Sequence, residues 1–171
     1  VHAMSEKLMG LYQGHVRRLI VNAPPRSLKT STCTTYYIAW LLGKDPTLQI
    51  ILATYTDEFA ENLGNKIRTL LCHSEYKRLF GDTRLLYEQA KSTRLRTHKG
   101  GSVVVTSFHS MMTGLGADYI IVDDPIQTND VRSATKMNDT INRFKEGLYT
   151  RLNDPKTGRI LLVMQRIHPD D

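Results

Sequence analysis

Five short apolar runs punctuate the chain: RLIVNA (18–23), QIILATY (49–55), SVVVTSF (102–108), DYIIVDD (118–124) and RILLVMQ (159–165). Most are rich in Val and Ile and continuous rather than alternating, which is the pattern of strands buried on both faces. Between them, apolar residues recur at helical spacing. Phe59, Leu63, Ile67 and Leu70 fall on one stripe, as do Met137, Ile141, Phe144 and Leu148 behind an N-cap at Ser133. Both stripes are read as core contacts. The stretch KTSTCTTYYIAWLL (29–42) reads as a further helix. Strands alternating with helices predict an α/β fold of three layers, a mostly parallel sheet flanked by helices. With no repeat, low-complexity tract or dividing linker, residues 1–171 form a single domain. In such sheets ligands bind beyond the carboxyl ends of the strands, so the residues that follow each run are the candidates for chemistry.

Composition narrows this picture modestly. At 40% hydrophobic and 23% charged residues, the chain belongs with ordinary globular proteins. It has no apolar run of membrane-spanning length and no secretory leader, so no membrane partner is expected. Cys33 and Cys72 lack CxxC spacing and are read as buried thiols of a reducing compartment. The net charge of +6 favours a polyanionic partner without identifying one. His98, His109 and His168 have no metal-ligand spacing, and no zinc site is expected.

After the first run comes Ala23-Pro24-Pro25-Arg26-Ser27-Leu28-Lys29-Thr30. A phosphate loop reads G-x-x-x-x-G-K-[ST], with backbone amides and Lys on the phosphates and the hydroxyl on Mg²⁺. Here Ala23 and Leu28 stand in the glycine positions while Lys29 and Thr30 are kept. From these residues alone, a phosphate loop and a proline-bearing turn at a helix start both stand. After the fourth run come Asp123, Asp124 and Pro125, the pattern of a Walker B strand. Asp123 would hold Mg²⁺, and Asp124 would orient the attacking water. A plain strand end in a turn is the other reading. Gln165 and Arg166 emerge at the last strand end, where a polar residue could sense the γ-phosphate.

Several motifs in series resemble the ATPase domain of the large terminase subunit of tailed bacteriophages. That family commonly reads PPRxGKS, matched by Pro24 to Thr30; tGxGAD, an apolar strand and DDP, matched by Thr113 to Pro125; and lytRL, matched by residues 148–152. It continues as RWHxDD, matched by Arg166 to Asp171, and further likeness lies in AWLLGKDP (39–46) and EYKRLFGD (75–82). The resemblance runs from about residue 18 to the end. It implies a RecA-like P-loop NTPase of the additional-strand type that hydrolyses ATP with Mg²⁺ to drive double-stranded DNA into a procapsid. Pro25, Arg26, Ser27, Leu28, Lys29 and Thr30 would bind nucleotide, Thr30 and Asp123 the metal. Asp124 and Arg26 would be catalytic, with Arg26 acting in its own subunit or across a ring, and Gln165 and Arg166 would couple the site outward. Gly114 and Gly116 would form a nucleotide-sensitive loop. The implied partners are DNA, a portal protein, a small terminase subunit and further copies in a homo-oligomeric ring, in the host bacterial cytoplasm at the portal. Family members carry an RNase H-like nuclease domain after the ATPase, so the chain is expected to be a fragment without nuclease activity. Leu28, Ile167 and Asp124 depart from the family's usual Gly, Trp and Glu; the first implies less freedom for positive φ. A helicase-like ATPase, or a nucleotide- or DNA-binding module without turnover, are the rival readings.

Overall fold

The computed structural model describes residues 1–86, 92–108, 110, 114–127 and 129–166. Its centre is a six-stranded sheet made of β1 (Arg18–Asn22), β2 (Gln49–Thr54), β3 (Arg94–Arg96), β4 (Ser102–Ser107), β5 (Tyr119–Asp123) and β6 (Arg159–Met164). The spatial order is β1-β6-β5-β2-β4-β3. All neighbours are parallel except β3 with β4. Each of the five apolar runs supplies one of the parallel strands, so their carboxyl ends share one edge. β6 lies between β1 and β5, which places an additional strand between the loop after β1 and the acids after β5.

One face of the sheet is covered by α1 (His2–Gln13), α2 (Tyr37–Lys44), α3 (Asp57–Cys72) and α4 (Ser74–Leu79). Leu8, Leu11, Ile38, Leu42, Leu63 and Ile67 pack there against Ile50, Leu52, Ile121 and Val163. The α3 stripe behaves as its spacing predicts: Leu63 and Ile67 are fully buried, while Phe59 and Leu70 pack at the margin. Thr56 caps this helix by accepting from the Phe59 amide. Arg159 fixes α1 to the sheet, its guanidinium donating to the Leu11 and Tyr12 carbonyls that the helix end leaves over.

The opposite face is thinner. Ile51, Ala53, Ile120, Val122 and Ile160 meet Phe108, Leu148 and Leu152. Here the second stripe is corrected. Helix α5 (Ala134–Asn142) buries no residue, and Ile141 is 44% exposed. Ser133 does cap it, accepting from the Lys136 amide. The chain reaches the sheet only where it changes to π-helical pitch over Arg143–Leu148, since the wider turn shifts the phase of the stripe.

Two further differences follow from position. β1 is not buried on both faces; it is an edge strand of alternating exposure, with Ile20 63% exposed, because only β6 pairs with it. The helix predicted over 29–42 opens with π-helical turns over Thr30–Tyr36 before continuing as α2. Cys33 is buried and Cys72 partly so, and neither forms a disulfide. Among the described residues no helix is long and apolar enough to cross a membrane.

Candidate functional site

The loop that joins β1 to the π-helical segment lies at the carboxyl edge of the sheet. It is anchored at its start by the Ala23 amide donating to the Met164 carbonyl of β6, 3.1 Å away. Arg26 and Leu28 have φ of +61° and +63°, left-handed conformations that a side chain ordinarily disfavours. Leu28 thus adopts the backbone geometry expected of the glycine it replaces. Leu28 is 60% exposed. Pro24, Pro25 and Arg26 are exposed as well. Ser27 is half-buried, and its Oγ is buried with no hydrogen-bond partner.

Lys29 turns inward and is 7% exposed. Its Nζ donates to both carboxylate oxygens of Asp124, at 2.7 and 2.6 Å. Asp124 leaves β5 through a turn with φ of +45°, a conformation Asp tolerates, and its amide donates to the Val163 carbonyl. This turn swings its carboxylate past the exit of β6 toward the loop.

Asp123, the last residue of β5, is fully buried. Its Oδ1 accepts from the Thr30 hydroxyl at 3.2 Å and its Oδ2 from the Thr34 hydroxyl at 2.9 Å. Among the described residues no Lys or Arg forms an ion pair with it. Burial pushes its pKa up to about 6; the Asp124 charge adds to the rise, while the Thr34 and Thr30 hydroxyls and the Lys29 charge oppose it. Thr34 was not among the sequence candidates, although its place four residues after Thr30 puts both hydroxyls on one helix face. Burial, with Asp123 nearby, also raises the Cys33 thiol to about 11, which leaves it unreactive.

Beside Asp124 a cleft of about 590 Å³ opens, lined by Tyr55, Thr56, Phe59, Asp124, Gln127 and Gln165, among others. Its wall after Asp124 is braced by Asp130, which accepts from the Tyr55 hydroxyl and pairs with the Lys136 ammonium. That brace is long-range and had no signal in the sequence. Arg166 is exposed next to Gln165. Gly114 has φ of +73° and faces open space. A Cβ on Gly116 would meet the Asn153 carboxamide, which would have to shift. Thr113, His109, Ile167 and residues 168–171 lie outside the described residues.

The donors suit a hard divalent cation with a polyphosphate. A buried carboxylate without a cationic partner and a neighbouring hydroxyl are oxygen ligands of the Mg²⁺ type, which needs few protein ligands when phosphates and water supply the rest. The orphaned Ser27 Oγ and the inward Lys29 are the polar groups that phosphate oxygens would satisfy. Among the described residues no cluster of three or more His, Cys, Asp or Glu could hold a metal by itself.

Neither a family model nor a curated protein matches this chain. Among solved structures, the fold is similar to that in the crystal structure of the HK97 bacteriophage large terminase, with a TM-score of 0.58 and 14% sequence identity. The match covers 95% of this chain and 32% of the other, so this chain spans about a third of that protein's length. At this identity the likeness is one of fold.

Proposed function

We propose that this chain is an Mg²⁺-dependent ATPase domain of a viral DNA-packaging motor. The observation that carries the reading is the convergence of the Lys29–Thr30 turn with the Asp123–Asp124 pair across β6. The series of terminase-like motifs and the shared fold supply the rest. Lys29, the Ser27 hydroxyl and the loop amides would bind the β- and γ-phosphates. Thr30 and Asp123 would hold Mg²⁺, which when bound neutralises charge on the phosphate oxygens. Asp124 would accept a hydrogen bond from the attacking water once nucleotide has drawn Lys29 away. Arg26, exposed at the loop's crest, would counter charge developing on the γ-phosphoryl group, from its own subunit or a neighbour's. Gln165, in the cleft with Asp124, would report the state of the site, with Arg166 carrying it outward. DNA, a portal protein, a small terminase subunit and sister copies in a ring are the partners this reading entails.

The test is direct titration of the chain with Mg²⁺ and an ATP analogue, beside Lys29→Ala. Loss of a charged donor to phosphate should weaken binding about 100-fold. An Ala variant that binds as tightly as the parent sinks the reading. A module that binds nucleotide without turnover is the second reading, favoured by the strained, bulky Leu28 in the loop. Binding by the parent with no phosphate release, even with DNA and further copies present, selects it.

A further inference from the structure

The row of residues that ends the central strands contains a hydroxyl with nothing to bond. Thr54 closes β2, is fully buried, and its Oγ1 has no hydrogen-bond partner. Three other buried threonines are satisfied: Thr34 donates to Asp123, Thr83 to the Leu42 carbonyl and Thr97 to the Pro46 carbonyl. An orphaned hydroxyl in a core opposes folding, whereas valine would fill nearly the same volume without that cost and suits a strand equally well. The four residues before Thr54 in the strand are Ile, Ile, Leu and Ala.

Register shows what the hydroxyl sits beside. Thr54 is paired with Asp123 on one side and with Ser107 on the other. Partners in register on parallel strands project from the same face. On this face the preceding pairs, Leu52 with Ile121 and with Val105, lie in the core that the helices cover, with α3 over β2 and β4 and the π-helical segment over β5. Thr54 and Asp123 therefore stand side by side on the face where Thr30 and Thr34 reach the Asp123 carboxylate. Ser107 is already committed, its hydroxyl donating to Ser110, whose own hydroxyl bonds Asp57. On the Asp123 side, the carboxylate takes Thr30 and Thr34 and leaves Thr54 to a group that the protein does not itself supply.

We infer that Thr54 is a positioning residue of the nucleotide site, its hydroxyl accepting a hydrogen bond from a water in the coordination shell of the cation that Asp123 holds. The inference rests on the phosphate-site reading above. A Mg²⁺-type ion retains several waters, each a strong donor that needs an oriented acceptor. Thr54 is a rigid acceptor, β-branched and locked in a strand, one ladder position from Asp123.

The experiment compares the parent, Thr54→Val and Thr54→Ser by thermal unfolding in EDTA and by titration with a fluorescent ATP analogue over a series of Mg²⁺ concentrations. In EDTA the Val variant should melt above the parent, because it removes the orphan. Its Mg²⁺ requirement for analogue binding should rise about tenfold, the usual cost of losing an outer-shell partner. The Ser variant should keep the parent's Mg²⁺ requirement. A Val variant that is stabilised yet shows the parent's Mg²⁺ dependence overturns the inference and leaves the phosphate site standing. A Ser variant whose Mg²⁺ requirement rises as far as that of Val overturns it too. If the parent's own analogue binding is indifferent to Mg²⁺, the phosphate-site reading falls and this inference falls with it.

Discussion

Lys29 and Asp124, ninety-five residues apart, form a bidentate ion pair across the exit of β6. In this arrangement the group suited to bind phosphate and the group suited to orient water neutralise each other. Neither is available for chemistry until something separates them. On the proposed reading, a triphosphate with its cation would offer Lys29 stronger acceptors and would release the Asp124 carboxylate in the same event.

Replacing Asp124 with Asn should therefore separate binding from turnover. Lys29 would no longer be held by a full charge, so affinity for an Mg²⁺-ATP analogue should stay level or rise a few-fold. Phosphate release should drop by at least 100-fold, the usual scale for loss of a general base. Binding and turnover falling in parallel would mean that Asp124 only holds the loop in shape.

Arg26 gives a complementary expectation. It is exposed, so its loss should leave stability unchanged within about 0.5 kcal/mol. Arg26→Ala should lower turnover on the order of 10³-fold with little change in analogue affinity, if it acts on developing charge. Equal losses in affinity and in kcat/KM, with kcat intact, would assign it to ground-state binding.

Leu28 tests the loop's backbone. Its left-handed conformation costs about 1 kcal/mol or more, and its exposed side chain recovers little by packing. A β-branched residue is worse there, whereas glycine offsets its chain entropy by shedding the strain. Urea unfolding should rank Gly at or above Leu, and Leu above Val by about 1 kcal/mol. Val matching Leu would mean that the loop relaxes out of the left-handed region.

Asp123 predicts a pH dependence of definite sign. Its carboxyl in the folded chain titrates near 6, above the ordinary value of about 4. Between those values the folded chain holds a proton that the unfolded chain lacks, so stability falls as pH rises through this window and levels off above 6. The change is on the order of 3 kcal/mol, and Asp123→Asn should flatten it. Mg²⁺-dependent analogue binding runs the other way, weakening as pH drops through about 6, because the cation needs the ionised form.

The interior parallel strands were readable because burial on both faces selects uninterrupted Val, Ile and Leu, a signal local to each run, whereas β1 carries a similar run at the sheet's edge. Strand β3 escaped because only Leu95 of its three residues is buried, which leaves no periodicity to see. Helix α5 misled for the opposite reason: its stripe is regular, yet the chain folds it off the sheet and buries only the π-helical turn that follows. Lys29, Thr30 and Asp123 could be named as candidates because phosphate and cation chemistry would restrict residue type at a strand end, and the fold does bring them together. Tyr55 and Asp130 could not, since they lie 75 residues apart and nothing in composition marks them, while Thr34 was missed although its spacing from Thr30 put both hydroxyls on one helix face. Thr54 became visible only once its neighbours in the sheet were known.

The exposed flank of β1 has a consequence for company. Among the described residues nothing pairs with the strand's outer side, and Ile20 sits in the open there. The far flank, by contrast, is three residues long and carries two arginines, a poor template for growth. Any extension of this sheet by another segment or molecule would thus be expected on the β1 side. Whatever docked there would touch the strand that leads into the Lys29 loop, so that a push on its backbone would meet no intervening element before Lys29.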